Sequence, residues 1–293
     1  MIASLPRSTA LRTATVLYVA AFLIFLFLPL VIVAVFAFNN APYPAPPWRG
    51  FTLDWFTGNA ASGRVGLFHD AALLGSIWTS VVVASWVTAL SVVVGTANAF
   101  LMERYRFFGK EALSVLMLAP LVIPGVILGI SILSLSSRIA DLALGLFDVD
   151  LDFLRPGLPL VVLGQFSYIA TIATLMISAS LKRFDRTLEE AALNLGASHA
   201  AVLRTITFPY LRPALIGSAA ISFLMSFENF NTTLMLVGAD PPLTVMMYGR
   251  MREGATPVLN AVSLFLMLAS ALLALTLMRG GSRSARGRPA AQS

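Results

Sequence analysis

The amino-acid sequence predicts an all-α membrane protein, in which a single transmembrane domain over residues 1–293 contains six transmembrane helices. Two observations predict this class: 58% of the residues are hydrophobic while only 12% are charged, and the mean hydropathy is +0.84. The apolar residues form blocks of about 20 or more, the length at which a helix crosses a bilayer. Because lipid offers the backbone no hydrogen-bond partners, these blocks are predicted to be helices, and the alternation typical of barrel strands is missing.

The positions of these blocks predict the six spans. They cover residues 15–38, 73–101, 113–136, 158–180, 214–237 and 257–278. The first block follows Arg7 and Arg12, as the apolar region of a signal peptide would. It is too long for such a region and therefore predicts a retained helix.

The third span contains residues that disturb a helix. Pro120 and Pro124 are expected to bend or break it, because proline cannot donate the backbone hydrogen bond of a helix interior. Gly125 and Gly129 have the spacing that lets two helices approach closely. Helix packing is the default interpretation, and a broken helix that borders a transport path is the alternative.

The distribution of charge predicts the orientation. The segments that we place inside hold 14 of the 20 Lys and Arg residues, so the positive-inside rule predicts that both termini are cytoplasmic. This orientation explains the net charge of +6, and no nucleic-acid partner is expected. The tail, residues 280–293, is predicted to be a disordered basic anchor, with binding to anionic lipid headgroups as the alternative. The outer loop, residues 39–72, is rich in proline and aromatic residues and is predicted to lie along the outer membrane surface.

Several kinds of site are excluded by composition. The chain has no cysteine, which rules out disulfides and thiolate metal sites. His69 and His199 are its only histidines and are far apart in the sequence, so no metal site is predicted. No grouping of nucleophile, base and acid suggests a catalytic residue, and a membrane enzyme is not expected.

The inner loop, residues 181–213, is predicted to form two short helices. Thr187 is expected to cap the first, with Glu190 completing a capping box. Gly196 is expected to end it in the left-handed conformation. Ser198 is then the expected cap of a second helix that Pro209 ends. Such a helix pair could dock into a groove on a soluble partner, or it could lie as an amphipathic segment on the headgroups.

The same loop carries a family resemblance. Glu190, Ala191 and Ala192, followed by Gly196, Ile206 and Pro209, match the Glu-Ala-Ala…Gly pattern of binding-protein-dependent ABC importer permeases, which the chain therefore resembles. The resemblance implies a type I importer fold in the bacterial inner membrane. It also implies coupling helices that fit an ATPase, with coupling residues Glu190, Ala191, Ala192, Leu195, Gly196, Ala197, Ser198 and Pro209. The chain has no phosphate-binding loop of its own, so ATP and Mg²⁺ are expected on the partner ATPase and no cofactor on this chain.

A polar run within the fifth span suggests a substrate path. Of the 14 acidic residues, Glu228 alone falls well inside a predicted span, beside Asn229, Asn231 and Thr232. A carboxylate inside the membrane is costly and usually functional, and a cationic solute is its natural complement. The alternative is structural: Glu228 hydrogen-bonds a neighbouring helix or pairs with Arg250 or Arg252.

The whole chain also resembles the polyamine (spermidine/putrescine) branch of these permeases. The resemblance is carried by residues 124–131 and 226–229, although Gly125 stands where that branch often has an acid. It implies an alternating-access importer of a small cationic solute that works with an ATPase dimer, a second permease subunit and an external substrate-binding protein. The alternative is a secondary transporter driven by an ion gradient, with Glu228 as the coupling carboxylate.

Overall fold

The computed structural model describes residues 9–59, 63–254 and 256–285, with side chains described as far as residue 272. Its α-helices in chain order are α1 (Thr9–Phe36), α2 (Asp54–Thr57), α3 (Ala71–Arg104), α4 (Lys110–Val122), α5 (Gly125–Phe147), α6 (Leu158–Leu181), α7 (Thr187–Asn194), α8 (His199–Val202), α9 (Phe208–Phe227), α10 (Asn231–Leu236), α11 (Leu243–Gly254) and α12 (Val258–Ala285). Leu67–His69 and Asp152–Leu154 are 3-10 turns, and Leu203–Thr207 is a π-helical turn.

The predicted helical class is confirmed. Within the described ranges, five helices are long and apolar enough to cross a membrane: Thr9–Phe36, Ala71–Arg104, Gly125–Phe147, Leu158–Leu181 and the continuous helix His199–Phe227. The sixth predicted span corresponds to α12, which has 28 residues, of which Val258–Leu272 form the described apolar stretch. The count of six spans therefore stays a prediction.

The third span lies later in the chain than predicted. As expected, a proline breaks the helix: α4 ends at Val122, Ile123 and Pro124 are extended, and α5 begins at Gly125. The residue before a proline is pushed out of the helical conformation, which explains the extended Ile123. With 13 residues, α4 is too short to cross a bilayer. The predicted span 113–136 is therefore wrong, and α5 is the membrane-length helix.

The fifth span begins earlier than predicted and is interrupted. Pro209 does not end a short helix, because α8, the π-helical turn and α9 follow one another without a break. Pro209 lies in the first turn of α9, where a missing N–H is tolerated. At the other end α9 stops at Phe227, and α10 begins only at Asn231. The predicted helix 214–237 is therefore two helices with a break between them.

The last helix is longer than predicted. α12 continues to Ala285, into the segment 280–293 for which the sequence predicts disorder. The disorder of the segment 280–293 stays a prediction. Residues 286–293 lie outside the described residues.

Two compact units are distinguished within the chain. One contains residues up to 71 together with 250–274, and the other contains 72–249 together with 275–293. In the first unit the outer loop folds on itself around the buried Trp55, whose indole N–H donates to the carbonyl of Asn39 at 2.8 Å. Phe38 stacks on Phe51 with ring centroids 5.3 Å apart. The predicted position of this loop along the membrane surface stays a prediction.

The second unit contains an apolar core between α3, α6 and α10. Its buried residues are Val83, Val87, Leu160, Val161, Ile169 and Leu236. α6 is the central helix, because it supplies half of these residues and packs against both α9 and α10. The core therefore holds the short helix α10 in place, directly after the interruption.

Candidate functional site

The turn between α7 and α8 has the conformation that the sequence predicts. Gly196 has φ +89° and follows the last turn of α7. Its N–H donates to the carbonyl of Leu193 at 2.9 Å, and the N–H of Ala197 donates to that of Ala192 at 3.1 Å. This pair of hydrogen bonds is a Schellman motif. Ser198 caps α8, since its hydroxyl accepts from the N–H of Ala201 at 3.3 Å.

The predicted cap of α7 is wrong. Thr187 is already inside the helix and forms no capping box with Glu190. Arg186 occupies the N-cap position without a capping side chain. The carboxylate of Asp185, one residue earlier, accepts from the N–H of Thr187 at 3.0 Å and from the Thr187 hydroxyl at 2.9 Å. A charged carboxylate is a stronger acceptor than a hydroxyl, and it also favours the positive end of the helix.

Glu189 anchors the inner loop to the end of α3. Its carboxylate lies 2.9 Å from the Arg104 guanidinium and accepts a hydrogen bond from the Thr207 hydroxyl at 2.5 Å. The Arg104 and Glu189 side chains are 14% and 17% exposed, so this ion pair is largely shielded from solvent. Arg104 also lies 5.5 Å above the ring of Phe184. This role of Glu189 does not follow from the sequence, because no local spacing links it to a residue 85 positions away.

The opposite surface of the turn is exposed. Leu195 is 89% exposed, and Leu188 on the same helix is 52% exposed. Among the other predicted coupling residues, Glu190, Ala191, Gly196 and Ser198 are exposed and Ala192 and Ala197 are half-buried. Pro209 is exposed but lies at the base of α9, beyond the π-helical turn. The structure therefore brings the predicted residues together in one turn, except for Pro209.

The interruption between α9 and α10 is stabilised by side chains that compete with the helix backbone. The Asn229 side-chain oxygen accepts from the N–H of Thr233 at 3.1 Å and from its hydroxyl at 2.9 Å. Thr233 lies in the first turn of α10, where a backbone N–H has no partner within its own helix, and the Asn229 side chain supplies that partner. The Asn229 carbonyl in turn accepts from the hydroxyl of Thr244 at 2.9 Å.

Two polar residues of α6 stabilise the interruption through hydrogen bonds. Gln165 is 1% exposed, and its amide donates to the Thr233 hydroxyl at 2.8 Å while it accepts from the hydroxyl of Ser226. The hydroxyl of Tyr168 accepts from the Asn229 amide. Neither residue is among those predicted from the sequence. Their polarity within an apolar span was the available signal, since buried polar groups in a membrane helix need partners.

The paired glycines of α5 make room for α10. A Cβ at Gly125 would lie 3.1 Å from that of Asn231, and a Cβ at Gly129 would lie 2.9 Å from that of Met235. The Thr232 hydroxyl donates to the Gly125 carbonyl at 3.3 Å. The prediction that these glycines serve close packing is confirmed, and the packing partner is the short helix after the interruption.

Glu228 lies at the C-cap of α9, in the interruption itself rather than inside a helix. Its side chain is exposed, and its carboxylate makes no hydrogen bond or ion pair with the described residues. The alternative in which it pairs with Arg250 is not observed, because Arg250 donates to both carboxylate oxygens of Asp70, at 2.5 and 2.9 Å. Of its predicted neighbours, Asn231 is exposed, Asn229 is half-buried and Thr232 is buried.

Acidic and histidine residues do not gather into a metal site in the described part of the chain, where no cluster of three or more could hold an ion. The arrangement can instead present one unpaired carboxylate beside amide and hydroxyl groups. Together with the membrane-length helices, it defines a polytopic membrane protein with a polar break within one span.

Comparison with known proteins specifies the family. The family model described as binding-protein-dependent transport system inner membrane component matches residues 95–281, which is more than half of the chain, and the chain belongs to this family. It is 27% identical over 245 residues to the putrescine transport system permease protein PotI of Escherichia coli K12, covering 83% of this chain and 82% of that protein. It is 28% identical to the spermidine/putrescine transport system permease protein PotC of Haemophilus influenzae, covering 90% of this chain and 93% of that protein.

A solved structure shows the same fold. It is a bacterial ABC transporter involved in the import of the acidic polysaccharide alginate, with a TM-score of 0.69, 17% sequence identity and coverage of 96% of both chains. The chain is thus a multi-pass inner-membrane permease subunit of an ABC importer, and it is a non-catalytic component. This membership decides against a secondary transporter driven by an ion gradient.

Proposed function

We propose that this permease imports a small cationic solute of the polyamine type, and that Glu228 contacts this solute on its path. The exposed, unpaired carboxylate of Glu228 in the α9–α10 interruption is the observation on which the proposal depends. The curated relatives named for putrescine and spermidine transport support the choice of a polyamine.

The position of Glu228 favours a water-filled path. A carboxylate at membrane depth is costly when it faces lipid, so an exposed one is expected to face water or another protein surface. The Gln165, Tyr168 and Asn229 hydrogen bonds hold the interruption in a defined shape. Irregular backbone inside a membrane is tolerated where it lines a cavity, which supports a path between this chain and a second permease subunit.

The inner loop supports coupling to an ATPase. Its exposed surface around Leu195 is suited to a groove on a cytoplasmic ATPase dimer, which would bind the ATP and Mg²⁺. The shielded Arg104–Glu189 ion pair ties this loop to α3. Motion of the docked loop would therefore reach a membrane-length helix directly, as alternating access requires.

The remaining features of the assembly follow from the same proposal. The permease has six spans, both termini and the inner loop are cytoplasmic, and an external binding protein delivers the solute. The excess of Lys and Arg in the inner segments supports this orientation.

The test removes one charge. Glu228→Gln should lower the uptake of radiolabelled putrescine about tenfold or more, since a charge-assisted hydrogen bond contributes about 1.5–3 kcal/mol. Uptake is measured in cells that lack other polyamine importers and that express this permease with its partner subunits. ATPase activity in proteoliposomes, with and without binding protein, is measured in parallel.

The matched control is Glu111→Gln, which removes an exposed carboxylate from the first turn of α4. It should leave uptake unchanged. Normal putrescine uptake by the Glu228→Gln variant would remove the substrate-path role of Glu228. Uptake of an anion or a neutral solute by the wild type, without putrescine uptake, would overturn the substrate class.

A further inference from the structure

A cavity of about 370 Å³ lies between α3, α4 and α6, at the end of α6 that leads into the inner loop. Its volume is within the range of small-molecule sites. Its lining includes Met102, Glu103, Met117, Ser178 and Lys182. It shares no residue with the Glu228 site, so the proposed transport path does not account for it.

The end of the cavity that lies away from Lys182 is largely apolar. Between Thr171 and Lys182 the lining follows α6 over about 16 Å, at the helical rise of 1.5 Å per residue. The hydroxyl of Thr171 donates to the carbonyl of Met117 at 2.7 Å, and that of Thr174 donates to a backbone carbonyl of its own helix at 2.8 Å. With these hydroxyls satisfied, Met117 and Leu175 supply apolar surface at this end.

The mouth of the cavity is charged. The Glu103 side chain is 18% exposed, and its carboxylate lies 3.6 Å from the ammonium of Lys182, which is 66% exposed. That separation is too long for a good hydrogen bond, so both groups can bind a ligand. Two more cations lie nearby: Arg186 donates to the Glu103 carbonyl at 2.6 Å, and Arg183 donates to the carbonyl of Ala179, which lines the cavity, at 3.2 Å.

A hydroxyl without a hydrogen-bond partner among the described residues lies between the charged mouth and the apolar end of the cavity. Ser178 is 8% exposed, and its hydroxyl has no hydrogen-bond partner among the described residues. It lies one helical turn from Lys182 on the same face of α6. The cavity therefore presents charge, then a hydroxyl, then apolar surface along one helix.

We propose that this cavity binds one phospholipid with an ethanolamine headgroup. The phosphate binds Lys182, with Arg183 nearby, and the primary ammonium donates to Glu103. The ester carbonyl, one step below the phosphate, accepts from the Ser178 hydroxyl. The acyl chain follows Met117 and Leu175 into the bilayer. A phosphocholine headgroup cannot donate to Glu103, and a phosphoglycerol headgroup has no cation to place there.

The test measures lipid retention by the purified full-length chain. The protein is delipidated in detergent, titrated with phosphatidylethanolamine, phosphatidylcholine or phosphatidylglycerol, and analysed by native mass spectrometry. We expect one tightly retained phosphatidylethanolamine. Lys182→Gln should weaken binding of phosphatidylethanolamine and phosphatidylglycerol about tenfold, because one charge-assisted contact is lost. Glu103→Gln should remove the preference for ethanolamine over the other headgroups.

The chain offers a matched control, since Lys110 and Lys182 are its two lysines. Lys110→Gln should retain lipid like the wild type. Ser178→Leu, which removes the hydroxyl and narrows the cavity, should weaken retention, and the surface substitution Lys182→Gln still tests the site if that variant does not fold. Equal retention of phosphatidylcholine by the wild type, or unchanged retention by Lys182→Gln, would overturn the proposal. Binding of free ethanolamine without lipid would overturn the role of the acyl chain.

Discussion

Replacement of Gly129 by alanine tests the close packing of α10 on α5. The added methyl carbon would lie 2.9 Å from the Cβ of Met235 and 3.2 Å from the carbonyl oxygen of Thr232. Carbon atoms attract each other best at about 3.5–4.0 Å, so the contact with Met235 is repulsive. The contact with the Thr232 oxygen is also tighter than an ordinary van der Waals contact. Because neither atom is the free end of a flexible side chain, relief requires a shift of α10 itself.

The expected magnitude follows from two opposing effects. Overpacking costs about 1–3 kcal/mol, while alanine gains about 1 kcal/mol over glycine from helix propensity. Gly145→Ala is the matched control, because Gly145 belongs to the same helix and a Cβ there would meet nothing within 4 Å. Comparison of the two variants removes the propensity effect. Gly129→Ala should therefore be less stable than Gly145→Ala by about 1–3 kcal/mol.

The assay is a titration of the purified protein in mixed micelles with dodecyl sulfate, with helix content followed by circular dichroism. Uptake of putrescine is measured on the same variants, because a shift of α10 would move Thr233 and the Asn229 cap that bonds it. Gly129→Ala should lower uptake, and Gly145→Ala should not. Equal stability and equal uptake for the two variants would refute close packing at this contact.

Two further predictions concern the inner loop. Glu189→Gln should lower the free energy of unfolding by about 1–3 kcal/mol, since it leaves the shielded Arg104 without its carboxylate. The control Glu190→Gln changes a neighbouring exposed carboxylate and should leave the free energy of unfolding unchanged. Equal titration curves for the two variants would contradict an anchoring role for Glu189. Gly196→Val should destabilise the protein by about 1–2 kcal/mol and reduce co-purification of the ATPase, because valine is strained at φ +89° even though no atom lies within 4 Å of the added Cβ. Gly196→Asn should still co-purify with the ATPase, since asparagine tolerates this conformation. Loss of the ATPase in both variants would show that the backbone conformation of Gly196 is not what binding requires.

Local patterns in the sequence predicted local structure well. Gly196 and Ser198 were predicted in their observed conformations because the physics of a helix end depends on a few adjacent residues. The helix break at Pro124 was predicted for the same reason. Thr187 was predicted wrongly because the helix begins at Thr187 itself, and the carboxylate of Asp185, two residues earlier, accepts from its N–H and its hydroxyl.

The candidate site was predicted only in part. Glu228 stood out by its charge within an apolar block, but its place in a break between helices did not follow from that block. The break depends on Gln165 and Tyr168, which lie about 60 residues earlier in the chain and reach Ser226 and Asn229 through tertiary contacts. Hydropathy averages over such a break, and for this reason it predicted one continuous helix.

The sequence by itself determined that this protein is a helical membrane bundle, which composition and block length decide through the cost of unpaired backbone in lipid. It also determined the Glu-Ala-Ala and Gly pattern of the inner loop, where adjacent residues set the turn. Only the tertiary structure decided that Arg104 holds Glu189 and that Gly125 and Gly129 face α10. These contacts join residues far apart in the chain, and their partners are selected by packing, which no local pattern encodes.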